Sequence, residues 1–233
     1  INQISFAYGY LVCVSFLYKY AHFVDIDNMT YIQNSDIKEA LGYSRSTKSV
    51  DYIIKRNGAL ENKGLIRSTR SYPVMSYSSS MGDSLSIEFS TIDSIDSDFP
   101  NYKIIKDIVK NRNYEIREPR FLFEYKSDIG TLYDYSNTYK ITISEFMSMV
   151  FDKNYDNIDF VIYSYFKSMC HGLKGNKKSI PLIRAVSEIG ISKDTFYSRL
   201  NKMKSNKLLR VIHKPWVVGR SEGDSNDYIF LGF

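Results

Sequence analysis

The sequence predicts an α+β chain, mainly α with small β wings, organised as two helix-turn-helix modules joined by a small α/β connector. Three observations carry that expectation. Near each end of the chain, apolar residues recur at helical spacing in three successive segments. Each set of three then runs into two short β-rich segments around a polar loop. The charge is also lopsided: of 31 Lys and Arg residues, 13 fall between Lys167 and Arg220 against two acids, Glu188 and Asp194, so this tract carries +11 and the remainder −6. A basic tract beside an acidic remainder is the electrostatic footprint of a chain that meets a polyanion with one end.

The first module is expected over residues 1–90. Phe6 to His22 is a long apolar helix. Ser35-Asp36-Ile37-Lys38-Glu39 opens a short one with capping-box spacing from Ser35, and Leu41-Gly42 closes it. Ser46 is expected to cap a third helix whose Val50, Ile53, Ile54 and Leu60 form an apolar stripe. Leu65-Ile66 and Leu85 to Phe89 are expected to pair as strands around the Ser-rich loop 72–86.

Residues 91–137 read as a connector. Asp93, Asp96 and Asp98 make an acidic linker, Tyr102 to Arg112 a helix with Ile104, Ile105, Ile108 and Val109 on one side, and Phe121 to Lys126 a strand. The helix is expected to cover a module's core, with a dimer helix as the alternative.

The second module is expected over residues 138–233. Phe160, Val161, Tyr163, Tyr165, Phe166 and Met169 supply its first helix, and Leu182, Ile183, Val186 and Ile189 its second, closed by Gly190. Ser192 caps a third, with Phe196, Leu200 and Met203 at i, i+4, i+7. Leu208 to Ile212 and Tyr228 to Leu231 are its strands. Helix, helix, helix, strand, loop, strand is the order of a winged helix. The two halves also share wording: Leu60-Glu61-Asn62-Lys63-Gly64-Leu65-Ile66-Arg67 against Met203-Lys204-Ser205-Asn206-Lys207-Leu208-Leu209-Arg210. Aligned at Ser46 and Ser192, the first third-helix is three residues longer, about one turn.

The passage Leu60 to Ile66 resembles the "Leu-Glu-x-Lys-Gly-Leu-Ile" run into the wing of tandem winged-helix proteins encoded by plasmids and phages of low-GC Gram-positive bacteria, replication initiators among them. Tyr139-Lys140-Ile141-Thr142-Ile143-Ser144-Glu145-Phe146 is similar to the short strand and lead-in before their second module. The resemblance implies a DNA-binding fold over about two thirds of the chain and, within it, replication initiation or transcriptional regulation of a mobile element. A partitioning or interaction adaptor is a third class. The implied partner is double-stranded DNA, bound by a homodimer.

Other chemistries are not expected. Ile4 to Val24 contains Lys19 and His22 and no small-residue cleavage site, so it reads as a buried helix, not a signal or membrane span, and the chain as cytoplasmic. Cys13 and Cys170 each sit in an apolar helix as small hydrophobes, and His22, His171 and His213 are isolated, so no metal site and no cofactor are expected. Glu124-Tyr125-Lys126 superficially suits a divalent-metal nuclease, but alternating Glu and Lys on a half-exposed strand is the plainer reading. Gly172 to Ser179 departs from phosphate-loop spacing. The chain is therefore not expected to be an enzyme.

In a winged helix the third helix enters the major groove and the wing touches phosphate or the minor groove. The second module then offers Lys193, Asp194, Thr195, Tyr197, Ser198, Arg199 and Lys202. Arg199 and Lys193 are expected on guanine, Thr195 on a thymine methyl and Lys202 on phosphate. Lys174, Lys177 and Lys178 are placed for phosphate, Arg220 for a narrow minor groove, and Trp216 for the wing's base. The first module offers the milder set Arg45, Thr47, Lys48, Asp51, Tyr52, Lys55 and Arg56, with Arg67 and Arg70 entering its wing; both modules are expected on DNA, with a dimer interface as the alternative for the first.

Overall fold

The computed structural model describes residues 3–79, 85–110, 114–120, 139–214 and 225–233, and at 76–79 and 85–89 the backbone alone. The chain is mixed α+β with small sheets and divides into two compact units, one of Phe6–Tyr135 and one of Ser136–Phe233 with Asn2–Ser5. The described part of the segment read as a connector, 91–110 and 114–120, belongs to the first unit.

In the first unit α1 (Ile4–Lys19) buries Phe6, Tyr10, Val14 and Tyr18, four residues apart, so an apolar segment becomes one core-facing stripe. Burial pushes the Cys13 thiol up to about 12, consistent with an inert hydrophobe. β1 (Val24–Asp25) and β2 (Thr30–Tyr31) form a minimal antiparallel pair. α2 (Asn34–Ala40) is capped at Gln33, not at Ser35: the Gln33 N–H donates to Asp36 Oδ2 at 2.7 Å, and Ser35 lies inside the helix. Gly42, at φ +80°, makes the left-handed turn after it.

The expected third helix is two short ones, α3 (Asp51–Ile54) and α4 (Ala59–Asn62). Ser46 does not cap it; its hydroxyl lies 3.0 Å from that of Ser44, and the N-cap of α3 is Val50. The chain leaves the helix at Lys55, turns through Asn57 at φ +56°, and re-enters at Gly58. The turn fits only a glycine, because a Cβ on Gly58 would stand 2.6 Å from the Lys55 carbonyl and 2.8 Å from that of Tyr52. Buried Arg117 donates from Nε to the Ile54 carbonyl at 2.7 Å, satisfying an acceptor that the break leaves open. Glu61 receives the N–H groups of Asn57 at 2.5 Å and Ser68 at 2.6 Å. Burial of Glu61 raises its carboxyl, and these bonds outweigh that and hold it below the usual range.

The strand pairing also differs from expectation. β3 (Ile66–Thr69) does not pair with the Leu85 segment. β4 (Pro73–Ser79) and β5 (Leu85–Thr91) form their own hairpin, α5 (Tyr102–Val109) follows, and β6 (Ile116–Pro119) pairs antiparallel with β3, Arg67 opposite Glu118. α5 buries Ile105 and Ile108. Ile105 joins Tyr18, Phe23, Tyr72, Val74, Ile92 and Ile116 in one apolar cluster, so the helix covers a core. The Phe121 to Lys126 strand, with its Glu124 and Lys126, lies outside the described residues.

In the second unit α6 (Ile143–Val150) is a helix, and the described residues 139–142 before it form no strand. Thr142 Oγ1 accepts the Glu145 N–H at 3.2 Å while Glu145 Oε2 accepts the Thr142 N–H at 2.8 Å, a reciprocal capping box. α7 (Asn157–Cys170) is capped by Asp156, which receives the N–H groups of Ile158 at 2.9 Å and Asp159 at 3.1 Å. β7 (Lys177–Pro181), unread in the sequence, precedes α8 (Leu182–Ile189), Gly190 at φ +73°, and α9 (Lys193–Ser205). β8 (Leu209–Ile212) and β9 (Ser225–Phe230) complete a three-stranded antiparallel sheet ordered β7-β9-β8. Phe160, Phe166, Phe196, Leu200 and Tyr228 fill its core.

The repeated wording folds the same way in both units. The Leu65 N–H returns to Leu60 O at 3.0 Å and that of Gly64 to Glu61 O at 2.9 Å; the Leu208 N–H returns to Met203 O and that of Lys207 to Lys204 O, both at 3.0 Å. Gly64 and Lys207 carry the positive φ, +68° and +58°, of this helix ending. Then the Arg120 N–H donates to Leu65 O at 2.9 Å and the Leu231 N–H to Leu208 O at 3.0 Å. β6 therefore stands in the first unit where β9 stands in the second, with residues 70–115 between β3 and β6 as against 213–224 between β8 and β9.

Candidate nucleic-acid interface

α9 is one uninterrupted helix because its signals agree. Ser192 Oγ accepts the Thr195 N–H at 3.2 Å, Asp194 sits in the first turn, and Lys202 and Lys204 in the last, all favourable to the helix dipole. Phe196, Leu200 and Met203 are buried and turn the opposite side outward.

Two of the expected contact residues are held inside the unit. Arg199 Nη2 lies 2.6 Å from Asp156 Oδ2 and Nη1 3.1 Å from Asp159 Oδ2, while Lys202 Nζ lies 2.5 Å from the same Asp159 oxygen and 4.9 Å from the Tyr155 ring centroid. Asp159 is fully buried and Arg199 only 26% exposed. A buried carboxylate left without its cations would strand its charge. This geometry makes Arg199 and Lys202 a clamp between α9 and the start of α7, engaged with acids of their own unit.

Lys177 is likewise engaged. On one face of the sheet Asp227 meets Lys177 Nζ at 2.7 Å and Lys214 Nζ at 3.0 Å and accepts the Ser179 hydroxyl. The Lys177, Ser179 and Lys214 contacts hold its carboxyl well below the usual range. Glu145 is held at about 2: burial raises it, but hydrogen bonds from Lys167 and Tyr163, at 2.5 and 2.6 Å, and from Thr142 prevail.

Lys174, Lys178, Lys193, Lys204, Lys207 and Arg210 remain exposed, with no ion pair among the described residues. Lys193 Nζ stands 5.9 Å over the Tyr197 ring. Tyr197 and Ser198 are exposed, and the Thr195 hydroxyl bonds to Ser192 at 2.8 Å. Lys204, Lys207 and Arg210 lie beyond the expected set, which runs from Lys193 to Lys202: Lys204 is in the last turn of α9, and Lys207 and Arg210 follow the helix. Continuing the helical spacing from Lys193 through Tyr197 finds Asn201 and Lys204. Arg220 and Trp216 lie outside the described residues.

The first unit's set is more nearly neutralised. Arg45 meets Asp36 at 2.5 Å and Glu39 at 2.9 Å, Arg56 meets Glu115 at 3.3 Å, and Arg67 meets buried Glu118 at 2.5 Å. The Thr47 carbonyl accepts Lys38 Nζ at 2.7 Å, and Lys38 also pairs with Asp51 at 2.5 Å. Lys48, Tyr52, Lys55 and Arg70 are exposed without ion pairs among the described residues.

Among the described residues no His, Cys, Asp and Glu cluster could hold a metal ion, and no helix is long and apolar enough to cross a membrane. No protein-family model, curated protein or solved structure matches the chain.

Proposed function

We propose that the chain is a sequence-specific duplex-DNA-binding protein in which both units are winged helices and the second carries the main DNA contact. The observation behind this reading is the second unit's order, α7-β7-α8-α9-β8-β9 with β9 between β7 and β8. That order presents a continuous, exposed α9 beside six cations free of ion pairs among the described residues. An exposed helix suits a groove, and unpaired cations around it suit phosphate. In the first unit, the interrupted third helix and paired arginines favour contact between two copies of the chain, giving a homodimer whose second units meet two half-sites. The biological role proposed is initiation of plasmid or phage replication at repeated origin sites, with regulation of such an element as the alternative.

The test is titration of a labelled duplex at several salt concentrations. Replacing Lys193 and Lys204 together by Ala should weaken binding to all sequences and flatten the slope of log K against log salt by roughly 1 to 2, since each phosphate contact releases about 0.9 counterion. Lys177→Ala should move it less, because Asp227 already neutralises that charge. Absence of duplex binding near 0.15 M salt, roughly physiological ionic strength, would overturn the proposal. Maintenance of a minimal replicon against repression of a reporter separates initiation from regulation.

A further inference from the structure

With Arg199 and Lys202 turned into the clamp, the outward strip of α9 consists of Asp194, Ser198, Asn201 and Ser205, flanked by Tyr197 and Lys204, and all six are exposed. The strip has no guanidinium, the group that most often recognises guanine through O6 and N7. It has one carboxamide, Asn201, which forms no hydrogen bond among the described residues. A carboxamide offers an acceptor and a donor side by side, matching the N6 donor and N7 acceptor of adenine and the major-groove edge of no other base. Asn201 follows Asp194 by seven residues and Ser198 by three, so the strip keeps it on the outward side of the helix.

Resting on the duplex-binding reading of the second unit, we propose that Asn201 reads an adenine edge in the major groove, so that the bound half-site requires an A·T pair at that position. This residue gives specificity and makes no contribution to the helix's own packing. Lys204, on the flank, neutralises phosphate without selecting a base.

The experiment is selection of bound duplexes from a random pool by the full chain and by Asn201→Ala, followed by titration on the selected site. The wild-type pool should fix an A·T pair that the Asn201→Ala pool leaves open. Replacing that adenine by 7-deazaadenine removes the N7 acceptor while keeping the base pair. It should cost the wild type roughly 5- to 150-fold in affinity, the cost of leaving the Asn201 amide donor unpaired, and cost Asn201→Ala nothing further. Equal weakening of selected and scrambled duplexes by Asn201→Ala overturns the assignment while leaving duplex binding intact, as does a G·C pair at the position the variant releases. No duplex selected by the wild type overturns the functional reading together with this one.

Discussion

The two units end α4 and α9 with the same hydrogen bonds and pass into equivalent antiparallel strand pairs, yet they dispose their cations differently. In the first, Arg45, Arg56 and Arg67 each face an acid, and the helix expected to lie in the groove is cut at Lys55 to Gly58. In the second, α9 runs unbroken from Lys193 to Ser205, and two of its cations are spent holding it against α7 while others face outward. The shared passage therefore specifies how a helix ends and a strand begins. What the helix presents is decided by residues upstream of that passage and by acids distant in sequence.

Four substitutions sharpen or break this comparison. The largest effect is expected from Asp159→Ala, which leaves Arg199 and Lys202 without their buried partner and should destabilise the second unit by about 3–5 kcal/mol. Urea denaturation followed by hydrogen exchange, resolved to peptides, should show α7 and α9 losing protection together; unchanged protection there would mean the clamp holds nothing. Next is Gly58→Ala, expected to cost about 1–3 kcal/mol by pressing a methyl into the Lys55 and Tyr52 carbonyls. A neutral or stabilising result would mean that α3 and α4 can join into the continuous helix that the second unit has. Ser192→Ala should cost about 1 kcal/mol through loss of the Thr195 cap. Ser46→Ala, at the position aligned with it, should stay within about 0.5 kcal/mol in the same denaturation assay; equal losses at the two serines would restore the symmetry that the structure removes.

The second unit was the more legible because its signals are local and agree. Gly190, the Ser192 cap and the i, i+4, i+7 spacing of Phe196, Leu200 and Met203 all mark one helix, and α9 has those bounds. In the first unit the apolar stripe Val50, Ile53, Ile54, Leu60 stays in helical phase across the break and masks it. The contrary signal was Asn57-Gly58, a strong turn dipeptide, together with the three extra residues before the shared passage. β6 was unreadable for another reason: Ile-Arg-Glu-Pro lacks strand character, and its four residues are buried by partners distant in sequence, β3 and Arg67, the Ile54 carbonyl for Arg117 and the apolar cluster for Ile116. Lys177 to Pro181 similarly becomes a strand only against β9. Arg199 looked like a reader of bases because its partners lie 40 and 43 residues away, a distance at which spacing says nothing about contact.

The segment between β3 and β6 also bears on how such a chain can grow. Lengthening the span from that of 213–224 to that of 70–115 is roughly two doublings, and closing the longer loop costs only about 1 kcal/mol more in chain entropy. The hairpin and α5 more than offset this by burying Tyr72, Val74, Ile92 and Ile105 in one cluster with Tyr18, Phe23 and Ile116. The same segment delays completion of the first unit: β3 keeps an unpaired edge until residues 116–119 have left the ribosome, whereas β8 waits only for the short stretch to β9. The unit synthesised first therefore carries the more distant contacts and is expected to close the more slowly.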